Sequence, residues 1–202
     1  MFVSPCRAVL CLCHIVELHP VPEGRYVWIN DQTQSIWTIS LNASCPGTPL
    51  VLLHGMGSGV ALWALNLPGL AARLPCPIYA IDLLGFGRSS RTRFSDDAAA
   101  AELQFVESIE AWRAVLDLPR MVLLGHSFGG FLATAYSLRY GGAGRVEHLI
   151  LADPWGFDPP LSPEELRERM PRKVIVLRCV YNKVNPFGPL RLFGPIGEQR
   201  TG

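Results

Sequence analysis

The sequence predicts an α/β fold, in which a mostly parallel β-sheet carries helices on both faces. Short apolar runs at 50–53, 78–81, 121–124 and 146–152 are bounded by turn residues, as buried strands are. Segments of helical character separate these runs, and strands that alternate with helices form parallel sheets. The 202 residues, 49% of them hydrophobic, are enough to bury the core of one domain rather than two.

The residues before the first buried run predict a hairpin. The segments 26–29 and 36–39 are rich in β-branched and aromatic residues, and they flank the turn pair Asn30-Asp31. The segment 60–74, after the first buried run, has helical character. Pro68 should break this helix, because proline lacks the N–H that a helix interior needs.

Two longer helices are predicted further along the chain. Asp96 and Asp97 open a helix whose apolar stripe faces the core, and the stripe consists of Phe105, Ile109, Trp112 and Leu116. A second helix is predicted over 131–140 and should end at Gly141-Gly142. The last buried strand follows it.

The character of the chain changes after Asp153. The segment 154–160 reads as a loop, and Ser162 is placed to cap a helix. The apolar run 174–177 is compatible with a strand or with a buried helix. Residues 185–202 are rich in proline and glycine, and we expect them to form a loop.

The pentapeptide Gly125-His126-Ser127-Phe128-Gly129 is a G-x-S-x-G pattern between a strand and a helix. In α/β-hydrolases this pattern holds the serine on a strained turn that exposes its hydroxyl, so Ser127 is a candidate nucleophile. Gly125, Gly129 and Gly130 agree with this, because a side chain beside so tight a turn would clash with neighbouring backbone. An ordinary βα turn of a parallel sheet is the alternative interpretation.

The run His54-Gly55-Met56-Gly57-Ser58-Gly59 follows the strand 50–53 and resembles the His-Gly oxyanion loop of the same fold. The backbone N–H groups of Met56 and Phe128 would then face the developing oxyanion. Donors of this kind lower a barrier by on the order of 3–4 kcal/mol each. A flexible surface loop is the alternative, while a phosphate loop would need a Lys-Ser/Thr pair after the glycines.

The histidines and Asp82 do not complete a catalytic set with Ser127. In this fold the base follows the nucleophile and the acid, yet the one later histidine, His148, introduces the next strand. We expect His126 to point away from the serine, and His54 to support the oxyanion loop with Gly55. Asp82 precedes Ser127 and should hold its own turn by hydrogen bonds to the backbone.

Composition excludes several classes of function. The net charge of +1 gives no argument for nucleic acid, and no apolar run reaches the ~18 residues that a membrane span needs. Six cysteines without a C-x-x-C pair indicate reduced thiols and an intracellular protein. A secretory signal at 8–16 is the alternative for the amino end, but no small-x-small cleavage site follows.

Several segments together resemble one subgroup of the α/β-hydrolases, which contains the N-acyl phospholipid lipases and the co-activator of adipose triglyceride lipase. The resemblance covers about residues 25–197, and Asp-Pro-Trp-Gly-Phe at 153–157 is its most specific element. It implies a variable amino-terminal segment over 1–24, a hydrolase core over 25–154, and the start of a lid over 155–202.

In this subgroup the triad acid and the histidine of an H-x4-D motif follow the lid. The resemblance therefore implies that the fold is incomplete at its C-terminus, and that this chain alone catalyses no useful hydrolysis. Asp153 is a secondary candidate for the acid, because some lipases use this position. Ser127 stands where the co-activator has asparagine, which favours the lipase branch. We also expect an exposed sheet edge that promotes aggregation.

The resemblance implies a serine lipase or acyl hydrolase of N-acyl phospholipids and lysophospholipids, without metal or cofactor. Its partners would be a lipid substrate, an intracellular membrane or lipid-droplet surface reached from the cytoplasm, and a lipase or droplet coat protein. The alternative is a non-catalytic lipase co-activator or an enzyme like a lysophosphatidic acid acyltransferase. Six apolar residues are expected either to line a lid for acyl chains or to belong to an ordinary core: Trp155, Phe157, Phe187, Leu190, Leu192 and Phe193.

Overall fold

The computed structural model describes residues 22–156 of the protein. Six strands form one sheet in the order β1-β2-β4-β3-β5-β6. The strands are β1 (Glu23–Ile29), β2 (Gln34–Leu41), β3 (Leu50–Leu53), β4 (Ile78–Ile81), β5 (Met121–His126) and β6 (Val146–Ala152). The helices are α1 (Leu67–Arg73), α2 (Ala98–Val115) and α3 (Phe128–Tyr140), with 3-10 turns at Val60–Trp63 and Gly141–Ala143.

The pairing of the strands determines which strand ends lie together at one edge of the sheet. Strands β4, β3, β5 and β6 are parallel, so their carboxyl ends meet there. Strand β2 runs antiparallel to β4 and to β1. The turn between β1 and β2 therefore lies at the same edge as the carboxyl ends of the parallel strands. The mostly parallel sheet and the predicted hairpin are both confirmed.

Helices cover both faces of the sheet, as predicted. Alternate residues of a strand point to opposite faces, and β3 divides its four buried residues between two apolar clusters. Val51 and Leu53 pack with residues of α2 and α3. Leu50 and Leu52 pack with residues of α1 and with Trp63. Because both faces of β3 are buried, the strand reads as a continuous apolar run.

Helix α2 is tied to the sheet at its middle and capped at its start. The carboxylate of Asp97 accepts a hydrogen bond from the amide of Ala100 at 2.8 Å, which confirms the predicted helix start. Trp112 is fully buried, and its indole N–H donates to the hydroxyl of Thr38 on β2 at 2.9 Å. The predicted stripe thus faces the core, with Leu116 packed at its margin.

Two helix boundaries differ from the prediction. Pro68 lies in the first turn of α1, where the missing N–H costs nothing, so proline begins this helix and does not break it. Helix α3 begins at Phe128 and not at 131, directly after the serine. The helix ends at Tyr140, as predicted, and a 3-10 turn over Gly141–Ala143 follows it, closed by Gly144 with a left-handed φ of +70°.

Several sequence-based predictions fall on residues outside the described range. These are most of the amino-terminal segment, the cap at Ser162, the run 174–177, the loop 185–202, and the lid residues Phe157, Phe187, Leu190, Leu192 and Phe193. Strand β1 begins at Glu23, so the hairpin includes two residues that we assigned to the amino-terminal segment. Across residues 22–156, every helix is too short or too polar to cross a membrane.

Candidate active site

Ser127 occupies a strained backbone corner between β5 and α3. Its φ of +52° and ψ of −117° are rare for a residue with a side chain, and such conformations cost about 1–3 kcal/mol. Hydrogen bonds hold the corner on both sides. The amide of Ser127 donates to the carbonyl of Ala152 at 3.1 Å, and its carbonyl accepts from the amides of Gly130 at 2.9 Å and Trp155 at 3.0 Å.

The corner is as tight as the glycine pattern predicts. A Cβ on Gly125 would lie 2.3 Å from the carbonyl oxygen of Gly129. A Cβ on Gly129 would lie 2.5 Å from the carbonyl oxygen of Leu53, at the end of β3. A Cβ on Gly130 would lie 2.9 Å from that of Pro154. Only glycine lets the serine turn, β3 and the loop after β6 approach so closely.

The glycine-rich loop after β3 lies directly beside Ser127. A Cβ on Gly55 would be 3.1 Å from the Cβ of Ser127 and 3.0 Å from Nδ1 of His126. Among the backbone hydrogen bonds of residues 22–156, none is donated by the amide of Met56 or of Phe128. Within residues 22–156, the N–H groups of Met56, in the loop beside Ser127, and of Phe128, directly after it, are thus unpaired. This is the arrangement that an oxyanion hole requires, and the role of these two amides remains a prediction.

His54 supports this loop and has no free nitrogen for catalysis. Its Nε2 accepts a hydrogen bond from the amide of Leu83 at 3.0 Å. The ring is therefore neutral, with its hydrogen on Nδ1, which lies 2.8 Å from the carbonyl of Gly55 and donates to it. Burial lowers the pKa of His54 and outweighs the hydrogen bond to Gly55 and the charge of Asp82, which both raise it.

The lowered pKa of His54 predicts a loss of stability in mild acid. The unfolded chain takes up a proton near the ordinary pKa of 6.5, which the buried ring resists. The unfolding free energy should therefore have its full value above about pH 6.5 and should decrease as the pH falls below that value. Urea titrations between about pH 7 and pH 5 measure this slope. His54→Gln should reduce the slope, whereas the exposed control His148→Gln should keep it; equal slopes in both variants would contradict the assignment.

His148 lies too far from Ser127 along β6 to act as its general base. His148 pairs with Val122, four residues along β6 from Ala152, which pairs with His126. At the rise of a strand this separates it from the serine corner by roughly 13 Å. Asp153 is exposed, has a φ of +47°, and directly follows the residue that binds the Ser127 amide. Its assignment as the acid stays a prediction.

Asp82 does more than the sequence predicted. Its carboxylate accepts from the amide of Arg88 at 2.7 Å, which holds its own turn. The other carboxylate oxygen accepts from the amide of Val60 at 2.6 Å, in the segment that follows the glycine-rich loop. Gly59 and Gly87 leave room for this buried carboxylate, since a Cβ on either would lie within 3.0 Å of it. Asp82 thus joins the loops after β3 and β4.

An aromatic cluster that the motif analysis did not find adjoins the serine. Trp155 lies 6.1 Å from Phe128 and 5.9 Å from Phe131 between ring centroids, and 59% of its side-chain surface is exposed. Phe128 continues the contact to Phe105 at 5.4 Å. Phe105 and Trp155 are far from Phe128 in the sequence, and although the motif analysis named all three, it gave no signal that their rings meet.

A serine on a strained strand-to-helix turn at the carboxyl edge of an α/β sheet is the arrangement typical of the α/β-hydrolase class. Residues 48–174 match the family described as alpha/beta hydrolase fold. Because the match covers more than half of the chain, the protein belongs to this family.

Two kinds of relatives confirm the resemblance to the lipase and co-activator subgroup. The 1-acylglycerol-3-phosphate O-acyltransferase ABHD5 of Rattus norvegicus is 52% identical over 166 residues, which are 81% of this chain and 46% of that protein. The (lyso)-N-acylphosphatidylethanolamine lipase of Homo sapiens is 49% identical over 176 residues, 86% of this chain and 50% of that protein. The chain thus spans about half the length of the curated relatives that it matches.

A solved structure confirms the fold. A CIB-like hydrolase of Thermoplasma acidophilum superposes with a TM-score of 0.58 at 19% identity, over 68% of this chain and 66% of that one. At this identity the likeness extends to the fold alone.

Proposed function

We propose that the protein is a serine carboxylic ester hydrolase that acts on N-acyl phospholipids and lysophospholipids. The observation that carries the proposal is the φ of +52° at Ser127, which is strain placed on the one residue that the motif selects as nucleophile. The similarity to a (lyso)-N-acylphosphatidylethanolamine lipase supports the substrate class. The protein would act at the cytoplasmic surface of an intracellular membrane or a lipid droplet.

The proposed reaction uses the serine corner as follows. The Oγ of Ser127 attacks the acyl carbonyl carbon and forms a new C–O bond, while its proton passes to a histidine base. That base lies outside residues 22–156. The carbonyl oxygen becomes an oxyanion beside the amides of Met56 and Phe128. The ester C–O bond then breaks, the alcohol leaves with the proton, and water hydrolyses the acyl-enzyme.

The surroundings of Ser127 suit a lipid substrate. Phe131 and Trp155 pack around the buried Phe128 next to the serine, and Trp155 is more than half exposed. An acyl chain that covers this surface would remove apolar area from water, at about 25 cal/mol per Å². The cluster therefore offers a place for the chain next to the carbonyl under attack.

Labelling with a fluorophosphonate probe tests the nucleophile. A form of the protein extended to the length of its relatives should be labelled, and Ser127→Ala should abolish the labelling. Ser137→Ala is the matched control, because its hydroxyl donates to the Ala133 carbonyl on the same helix and takes no part in the site. The proposal fails if wild type and Ser127→Ala are labelled equally, or if the extended form is folded and unlabelled.

The second candidate is a lipase co-activator or an acyltransferase. The similarity to a protein named as a 1-acylglycerol-3-phosphate O-acyltransferase favours it. Product analysis separates the candidates. Hydrolysis releases a free fatty acid from the phospholipid, whereas transfer moves an acyl group onto lysophosphatidic acid. A co-activator would stimulate a lipase equally as wild type and as Ser127→Ala.

A further inference from the structure

The hairpin carries an exposed aromatic surface on the sheet face away from α2. Tyr26 and Trp28 alternate with the buried Val27 and are 48% and 53% exposed. Trp37 pairs with Tyr26 across the strands, with 4.8 Å between ring centroids. The guanidinium carbon of Arg88 lies 4.7 Å from the centre of the Trp37 ring, a cation–π contact. We call Tyr26, Trp28, Trp37 and Arg88 the hairpin patch.

The hairpin patch lies at the same edge of the sheet as Ser127. The amide of Ser90, in the loop after β4, donates to the carbonyl of Ser35 at the start of β2, with an N···O distance of 2.9 Å. The amide of Ser35 donates to the hydroxyl of Ser90 at 2.8 Å. The start of β2 is thus joined to the loop at the carboxyl end of β4, and β4 belongs to the parallel set whose carboxyl ends include the Ser127 corner.

Positive charge surrounds the aromatic side chains. Arg88, Arg91 and Arg93 are all exposed in the loop after β4. This loop contacts the hairpin, since Gln34 donates to the hydroxyl of Thr92 at 3.2 Å. In the part of the chain that the structure describes, none of the three guanidinium groups forms an ion pair.

Three exposed carboxylates lie in the hairpin turn and after the arginines, and none of them pairs with an arginine of this loop among residues 22–156. Asp31 in the hairpin turn is exposed, Asp96 and Asp97 follow the arginines, and Asp97 is engaged in capping α2. Asp82 is buried under its own turn. Arg88 is the charged group in direct contact with the aromatic side chains, through the ring of Trp37.

We propose that the hairpin patch binds the headgroup region of an anionic phospholipid bilayer and turns the Ser127 edge toward it. Tryptophan and tyrosine favour the membrane–water interface, where their apolar rings and polar groups are both accommodated. Unpaired arginines beside them gain from anionic headgroups. The orienting role rests on the proposed lipid hydrolysis, whereas binding to the bilayer does not.

The size of the patch favours a bilayer over a protein. The exposed halves of two aromatic side chains offer on the order of 200 Å². A stable protein interface buries about 800 Å² on each partner. Binding to a bilayer needs no such area, because each inserted ring and each headgroup contact adds to the affinity of the protein for the membrane.

Flotation with vesicles tests the patch in the 202-residue chain. Binding should be stronger to vesicles of phosphatidylcholine with phosphatidylserine than to phosphatidylcholine alone, and salt should weaken it. Trp28→Ser should weaken binding about tenfold, since it removes an inserted apolar ring. Arg93→Gln should weaken it about fivefold. Arg93 accepts this change without loss of structure, because its side chain makes no hydrogen bond to the described residues.

Two control variants remove similar groups from other surfaces. Leu138→Ser removes an 84% exposed leucine near the end of α3, and Arg73→Gln removes an exposed charge at the end of α1. Both should bind like wild type. Equal binding by all variants, a preference for neutral vesicles, or a dimer that Trp28→Ser dissociates would overturn the proposal. In the extended form Trp28→Ser should keep its fluorophosphonate labelling in detergent, which separates this proposal from the hydrolase proposal.

Discussion

Replacing Gly125 with alanine should leave the protein unable to fold stably. The added Cβ would lie 2.3 Å from the carbonyl oxygen of Gly129, 2.5 Å from its carbonyl carbon and 2.6 Å from the Cα of Gly130. All three atoms are backbone at the start of α3, so no side chain can move aside. Ordinary overpacking costs about 1–3 kcal/mol, and a clash with three backbone atoms that cannot move aside should exceed about 4 kcal/mol.

Equilibrium denaturation in urea, together with soluble yield, measures the effect of Gly125→Ala. Gly142→Ala is the matched control, because a Cβ at Gly142 meets no atom within 4 Å. That control should change the unfolding free energy by no more than about 0.5 kcal/mol. If the two variants unfold at the same urea concentration, the close approach of β5 and α3 at the serine corner is wrong.

Replacing Glu110 with alanine should destabilise the protein by about 3–5 kcal/mol, because it breaks a largely buried ion pair. The carboxylate of Glu110 accepts two hydrogen bonds from the Arg113 guanidinium, both at 2.8 Å, and one from the Tyr136 hydroxyl on α3. Only 18% of the Glu110 side chain and 7% of the Arg113 side chain are exposed. Without the carboxylate, the charge of Arg113 stays buried and loses its partner.

The ionisation of Glu110 gives the same network a pH dependence. Burial raises the pKa of Glu110, but the hydrogen bonds from Arg113 and Tyr136 and the nearby arginine charges outweigh it, so that the pKa is lowered from its ordinary 4.5. The stability from the network is therefore present above about pH 4.5 and is lost as the pH falls below it. Glu110→Ala should remove this acid-sensitive part of the unfolding free energy.

Glu107→Ala is the matched control for Glu110→Ala. It lies one turn away on α2 and accepts from Arg139 at 2.9 Å and from the Tyr140 hydroxyl at 2.8 Å. Both members of its ion pair are about half exposed, at 51% and 45%. Solvent screens such a pair, so the control should lose much less stability than Glu110→Ala. Equal losses in thermal or urea unfolding would contradict the distinction between the two sites.

The serine corner could be predicted from sequence because its causes are local. Gly125, Gly129 and Gly130 lie within six residues around Ser127, so the pattern is visible in the sequence. Gly125 meets backbone of the same turn, whereas Gly129 meets the end of β3 and Gly130 comes closest to Pro154. The buried strands could be predicted equally well, because a strand such as β3 that is covered on both faces is apolar throughout. The start of α3 and the position of Pro68 were misplaced, because a helix boundary depends on which backbone groups find partners in the folded chain.

The contacts between distant segments could not be predicted in this way. Asp82 was assigned to its own turn, but its second oxygen binds the amide of Val60, which only the pairing of β3 and β4 brings near. Glu110, Arg113 and Tyr136 look like ordinary residues of two amphipathic helices, and their shared network depends on how α2 and α3 pack. The hairpin patch depends in the same way on the pairing of β1 with β2.

The amino-acid sequence alone determined the family, the alternation of strands and helices, and the selection of Ser127 as the candidate nucleophile. Each of these depends on the spacing and size of residues that are close together in the chain. Tertiary structure alone decided that His54 has both nitrogens engaged, that the amides of Met56 and Phe128 have no hydrogen-bond partner among residues 22–156, and that exposed aromatic rings lie at the same edge as the serine. These properties arise where segments that are far apart in the chain come into contact. Which hydrogen-bond partners a group has, and how exposed it is, are set only by that contact.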